Sequence, residues 1–126
     1  MILPLKKIID SRGSMFALNS LPFEVKRVFI LKDIKQTRGN HAHKKLREVL
    51  ICLSGYCTIS LDNGISISVV KLTSPEQGLL IEPELWRTIS ECSTDCTIVS
   101  LCSHELDQED YIRTYNEFKR FINNER

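Results

Sequence analysis

The chain has no apolar run approaching the ~20 residues of a membrane-spanning helix, and it has no CxxC pair. It also lacks charge of one sign: 17 Lys and Arg stand against 16 Asp and Glu, a formal net charge of +1. That balance argues against non-specific nucleic-acid binding and against a membrane-surface role, both of which want a one-signed face. It leaves room for an anionic small ligand, because a pocket needs only a few local cations. The opening Met1-Ile2-Leu3-Pro4-Leu5-Lys6-Lys7 is too short and too soon charged for a signal peptide. The cysteines (Cys52, Cys57, Cys92, Cys96 and Cys102) are odd in number, and three of them sit in apolar or β-branched runs. Free cysteine there behaves as a small buried hydrophobe. A reduced, cytoplasmic protein is expected, with a Cys92–Cys96 bridge as the minor alternative. A length of 126 residues suits one domain, 1–126, that buries a core without metal or disulfide staples.

What the chain does have is many short β-type runs. They fall at about residues 5–9, 15–18, 25–31, 48–53, 57–61, 65–69, 78–81, 86–89 and 97–101, with turn residues between them. Asp62-Asn63-Gly64 between β-rich flanks is a hairpin signal, and Ile65-Ser66-Ile67-Ser68-Val69 alternates with the period of a half-buried strand. Such spacing predicts an all-β sandwich or barrel over about residues 5–103. The tail differs. Asp110 is placed to cap a helix over about 110–122, with Tyr111, Tyr115, Phe118 and Ile122 at helical spacing as a packing face.

The chemistry concentrates in Arg38-Gly39-Asn40-His41-Ala42-His43. If this segment is extended, residues i and i+2 share a face, so both imidazoles project together. Two groups of ordinary pKa ≈ 6.5 side by side suit proton transfer near neutrality, and equally suit metal binding. His41-x-His43, then Glu48 and Gly55, matches the spacing of the first cupin motif, and Gly78-x4-Pro83 fits the start of the second. A metal-binding cupin takes a further histidine from that second motif. Here Pro83-Glu84-Leu85-Trp86 runs into Arg87, whose guanidinium has no lone pair to offer. At most His41, His43 and Glu48 remain as ligands, so metal-free acid–base chemistry without a cofactor is expected.

Ser11-Arg12-Gly13, Arg38-Gly39-x-His41-Ala42-His43-Lys44, Pro83-x-x-Trp86 and Asp110-Tyr111-Ile112-Arg113-x-Tyr115 resemble the WxcM-like cupin family of sugar 3,4-ketoisomerases. The resemblance covers about residues 5–122. It implies an all-β cupin jelly roll with a C-terminal α-helix and a homodimer acting on dTDP-4-keto-6-deoxyglucose in deoxyamino-sugar and surface-polysaccharide biosynthesis. It makes His41 and His43 the catalytic pair. Arg12, Arg38 and Lys44 become candidates for the pyrophosphate. Trp86, Arg87 and Glu48 become further candidates for substrate binding, with Arg87 able to stabilise an enediolate.

The chain departs from the family's pattern at specific places. Members commonly carry Trp-His where Trp86-Arg87 stands, often Gln where Glu48 stands, and frequently a tyrosine on the Val28-Phe29-Ile30 strand. Two rivals follow. One is a non-catalytic sugar-binding cupin. The other is a nucleotide-sugar 3,5-epimerase, which wants a tyrosine acid facing the histidines; Tyr56, Tyr111 and Tyr115 are not read as facing that strand. For the homodimer, the apolar Ile2–Leu5 run is the segment expected to cross between subunits.

Overall fold

Strict alternation of inward and outward side chains shapes this protein, which was analysed as a computed structural model describing residues 1–124. Twelve strands are followed or interrupted by little helix: β1 Ile2–Pro4, β2 Lys6–Asp10, β3 Gly13–Ala17, β4 Arg27–Lys32, β5 Arg38–His43, β6 Glu48–Ser54, β7 Cys57–Asp62, β8 Ile67–Leu72, β9 Gln77–Ile81, β10 Trp86–Ser90, β11 Thr97–Cys102 and β12 Tyr111–Ile112. A single-turn 3-10 segment, Gln108–Asp110, precedes β12, and the helix α1 is Tyr115–Ile122. One sheet runs β1-β9-β6-β11-β4 and the other β12-β5-β10-β7-β8, while β2 and β3 form a separate hairpin. Every pairing is antiparallel. The expected all-β jelly roll with a C-terminal helix is what the chain forms. Among the described residues, no helix is long and apolar enough to cross a membrane.

The core between the sheets is layered by the period of two. On β6, Glu48, Leu50 and Cys52 point inward, and their register partners on β11 are Cys102, Ser100 and Ile98. On β7, Leu61, Ile59 and Cys57 point inward, opposite Arg87 and Ile89 of β10 for the first two. The interior therefore passes from a polar layer (Glu48, Arg87, Ser100) through an apolar one (Leu50, Ile59, Ile89, Ile98) to a thiol layer (Cys52, Cys57, Cys96). Four residues of strand separate Glu48 from Cys52, which is ~13 Å at ~3.3 Å per residue.

Both outer faces are covered from the chain ends. Leu3, Leu5, Leu18, Leu21 and Phe23 lie over Val49, Ile51 and Leu80. Phe118, Phe121 and Ile122 of α1 lie over Ala42, Ile112 and Trp86. Complete burial of Phe118 alone is worth about 1.5–3 kcal/mol. Tyr115 donates to Asp62 (2.7 Å) and the Lys119 ammonium to the Gly64 carbonyl (2.8 Å), so the helix is pinned to the β7–β8 hairpin turn.

The expectation for the tail needs correction. Asp110 does not cap the helix: Thr114 does, its hydroxyl accepting from the Glu117 amide, and the helix begins at Tyr115. Residues 111–112 instead add a strand to β5, because the sheet edge offers Tyr111 and Ile112 backbone partners that an isolated turn of helix does not. β1 lies along β9 at the edge of its five-stranded sheet.

Candidate active site

β5 carries both histidines, and a glycine lets it sit where it does. Gly39 has φ +85°, and a Cβ there would lie 2.7 Å from the Arg87 carbonyl oxygen, closer than any side chain is tolerated. The ladder between β5 and β10 shifts register at this point, between Arg87 and Thr88. That places His41 directly opposite Arg87. His41 and His43 then share the inward face, with ring centroids 4.9 Å apart. Ala42 points the other way, under the helix.

The two rings bound a cavity of about 260 Å³. Its wall includes Arg27, Phe29, Arg38, Glu48, Arg87 and Tyr111. His43 approaches the Asp110 carboxylate through Nδ1 at 2.9 Å, and His41 approaches the Gly39 carbonyl through Nδ1 at 3.1 Å. A carboxylate or carbonyl oxygen only accepts, so each neutral ring carries its proton on Nδ1 and presents the Nε2 lone pair. Burial pushes the His41 pKa down, and the nearby Arg87 charge adds to that against the Gly39 bond. For His43, burial with the charges of Arg87 and His41 brings it down to about 4. At neutral pH the pair is two bases.

Asp110 is itself fixed. Besides His43, its carboxylate accepts from the amides of Lys45 (2.7 Å) and Leu46 (3.2 Å). Tyr111 follows it, its ring 4.4 Å from that of His43 and 5.1 Å from that of His41. The Arg113 guanidinium covers Tyr111 at 4.2 Å, a cation–π contact that holds the ring against the pair.

At the floor of the cavity Arg87 and Glu48 form a buried ion pair, N to O 2.5 Å. The second Glu48 oxygen accepts from Ser100 (2.6 Å), and Arg87 also donates to the Leu85 carbonyl. Burial alone would raise the Glu48 carboxyl pKa; the Arg87 charge and the Ser100 bond outweigh it and hold the group below the ordinary carboxylate range. Both carboxylate oxygens are thus committed to protein donors, which leaves them poorly placed as metal ligands.

The sequence-expected site residues divide. His41, His43, Arg38, Glu48 and Arg87 come together around the cavity. Trp86 does not: it precedes Arg87 on β10, so when Arg87 faces in, Trp86 faces out, and it packs against Tyr115 and Phe118. Lys44 is exposed, outside the cavity wall. Arg12 sits at the tip of the β2–β3 hairpin, exposed and bound to Asp10 at 2.6 Å, with no place in its own chain's cavity. Residues missed by the sequence reading are Asp110 as the His43 partner, Tyr111, and Arg27 beside Phe29, whose ring its guanidinium covers at 5.0 Å. Tyr111 does face the histidine strand, contrary to expectation.

Fold and site together define the class: a jelly-roll cupin whose pocket holds a histidine pair backed by a carboxylate. The chain belongs to the WxcM-like, C-terminal family (FdtA), whose model matches residues 1–123. It is 44% identical over 126 residues to the TDP-4-oxo-6-deoxy-alpha-D-glucose-3,4-oxoisomerase of Aneurinibacillus thermoaerophilus, covering 96% of this chain and 91% of that one. A 3,4-ketoisomerase structure from Helicobacter canadensis superposes with a TM-score of 0.93 at 38% identity, covering 98% of this chain and 96% of its own. QdtA, a sugar 3,4-ketoisomerase from Thermoanaerobacterium thermosaccharolyticum solved in complex with TDP, gives 0.94 at 32% identity, covering 99% and 95%.

Proposed function

We propose that the protein is a dTDP-sugar 3,4-ketoisomerase that moves the carbonyl of dTDP-4-keto-6-deoxyglucose from C4 to C3 by metal-free acid–base catalysis. The observation that carries this is the pair of neutral imidazoles presenting Nε2 into one cavity, His43 backed by Asp110. The named activities of the relatives support it.

The chemistry follows from the geometry. Nε2 of one imidazole takes the C3 proton, and the electron pair moves into a C3–C4 double bond as charge passes to O4. His43 suits this role, because the imidazolium it becomes lies against a carboxylate. His41, whose Nε2 is free, takes the O3 hydroxyl proton and hands it to O4, so the negative charge passes from O4 to O3. The enediol then collapses: the C3 carbonyl forms and the proton returns from His43 to C4. Nothing is oxidised or reduced overall, and no proton is consumed. Arg87 at the cavity floor stabilises the enediolate charge electrostatically. Arg38, exposed at the cavity wall, and Arg27 are placed for the anionic pyrophosphate.

We place the enzyme in the cytoplasm, as one domain forming a homodimer and supplying deoxyamino-sugar biosynthesis for surface polysaccharide. The exposed Ile8, Ile9 and Met15 on the β2–β3 hairpin support self-association, as do the open edge β4 and its exposed Val28 and Ile30. The test is direct: purified protein is mixed with dTDP-4-keto-6-deoxyglucose and followed by NMR. A 3-keto product is expected. Unchanged substrate would favour the non-catalytic rival, and a product inverted at a ring carbon with the ketone still at C4 would favour the epimerase. Tyr111 beside the histidines is the observation that keeps the epimerase in view.

A further inference from the structure

Four of the five cysteines gather at one end of the sandwich, some four strand residues beyond the catalytic layer. Cys52 ends the inward row of β6, Cys57 opens β7 across the hairpin turn, and Cys96 leads into β11. Their Sγ atoms all lie within 4.8 Å of one another, and Cys52 and Cys96 are 4.0 Å apart. All three are at most 1% exposed. Ile59, Leu72 and Ile98 belong to the same buried cluster, and the Cys52 thiol donates to the Ser54 carbonyl at 3.2 Å. All the cysteines are free thiols.

We propose that Cys52, Cys57 and Cys96 form a three-coordinate thiolate site for copper(I), a soft monovalent d10 cation. Two arguments converge on this ion. Thiolate sulfur selects soft metals. A zinc ion with three thiolates would seek a fourth ligand, whereas the fourth nearby thiol, Cys92, lies outside the group of sulfurs within 4.8 Å of one another. Binding forms a copper–sulfur bond at each of the three cysteines and releases the thiol protons to solvent. Half-buried Cys92, in contact with Cys96, supplies the entry path.

The experiment uses reduced, anaerobic full-length protein competing for copper(I) against bicinchoninate. One equivalent is expected to transfer, with a thiolate-to-copper charge-transfer band, three sulfur neighbours by X-ray absorption, and a raised melting temperature, since the ion binds the folded state. Cys52→Ala, Cys57→Ala and Cys96→Ala should each weaken binding by more than ~100-fold, beyond what outer-shell changes cost. Cys102→Ser should keep full affinity, and Cys92→Ala should keep affinity but load slowly. Circular dichroism checks that each variant folds; for any that does not, the sulfur count and thermal shift of the wild type decide. The proposal is overturned by failure to compete with bicinchoninate, by binding that survives loss of the three cysteines, or by nitrogen neighbours at the copper. Loss of affinity in Cys92→Ala, or four sulfurs around preferentially bound zinc, overturns it too.

Discussion

Asp110 takes a hydrogen bond from Nδ1 of His43 at 2.9 Å, across 67 positions of sequence. The contact fixes the tautomer of the ring that we assign to carbon-bound proton transfer, and its carboxylate also receives the Lys45 and Leu46 amides. Asp110→Asn keeps the shape but turns one acceptor oxygen into a donor. Turnover should fall by about 10²–10³-fold, within the range for acid–base groups. The pH dependence of kcat should move to lower pH, because the Asp110 bond is one of the influences raising the His43 pKa. Stability should drop by about 1–3 kcal/mol as an amide loses its acceptor. An unchanged pH profile would reduce Asp110 to a loop-holding role.

Replacing His41 or His43 with Asn keeps size and hydrogen bonding but removes the titratable nitrogen. Each change should lower kcat by about 10²–10⁴-fold while dTDP still raises the melting temperature. Full activity in both variants removes the proposed catalysts. A chelator should leave the wild-type rate unchanged, and loss of activity on chelation would move the chemistry to a metal.

Much of this site was legible beforehand. The HxH spacing placed both rings on one face. The departures from family pattern at Glu48 and Arg87 were also visible, but not that they are one interaction, since strand pairing is a long-range fact. Trp86 was misread for a local reason: alternation allows either Trp86 or Arg87 to face the pocket, never both. The tail was misread because 111, 115, 118 and 122 fit a helical face. The stronger signal was Thr114-Tyr115-Asn116-Glu117, a capping-box pattern that starts the helix at 115 and frees 110–112 for the site.

Stability should depend on the neutral histidines. Above pH ~6.5, neither the folded nor the unfolded chain holds a proton on His43, and full stability is present. Below it the unfolded chain takes up a proton that the native state refuses until about pH 4. Stability therefore falls as pH drops from ~6.5 toward 4, by up to ~1.4 kcal/mol per unit for each such histidine. His41, shifted the same way, adds to the slope. Chemical denaturation at a series of pH values measures this, and His43→Asn should flatten the curve. A wild-type curve level between pH 6.5 and 4.5 would contradict it.

The last prediction concerns the buried pair at the cavity floor, where two departures from the family's usual residues meet. Arg87 and Glu48 are 2% and 4% exposed, so each is the other's compensation for lost solvent. Glu48→Gln leaves a guanidinium with no counter-charge and should cost about 3–5 kcal/mol, the penalty typical of breaking a buried pair. Arg87→His leaves the Glu48 carboxylate with Ser100 as its only strong donor, and should cost a comparable amount at neutral pH. The double variant restores the neutral combination common in the family. It should recover most of the stability, giving a coupling of at least ~2 kcal/mol in a double-mutant cycle. The same cycle read in kcat separates structure from catalysis. If Arg87 stabilises the enediolate, turnover stays depressed in the double variant even though folding is restored. Recovery of both together would mean that Arg87 serves only to neutralise Glu48.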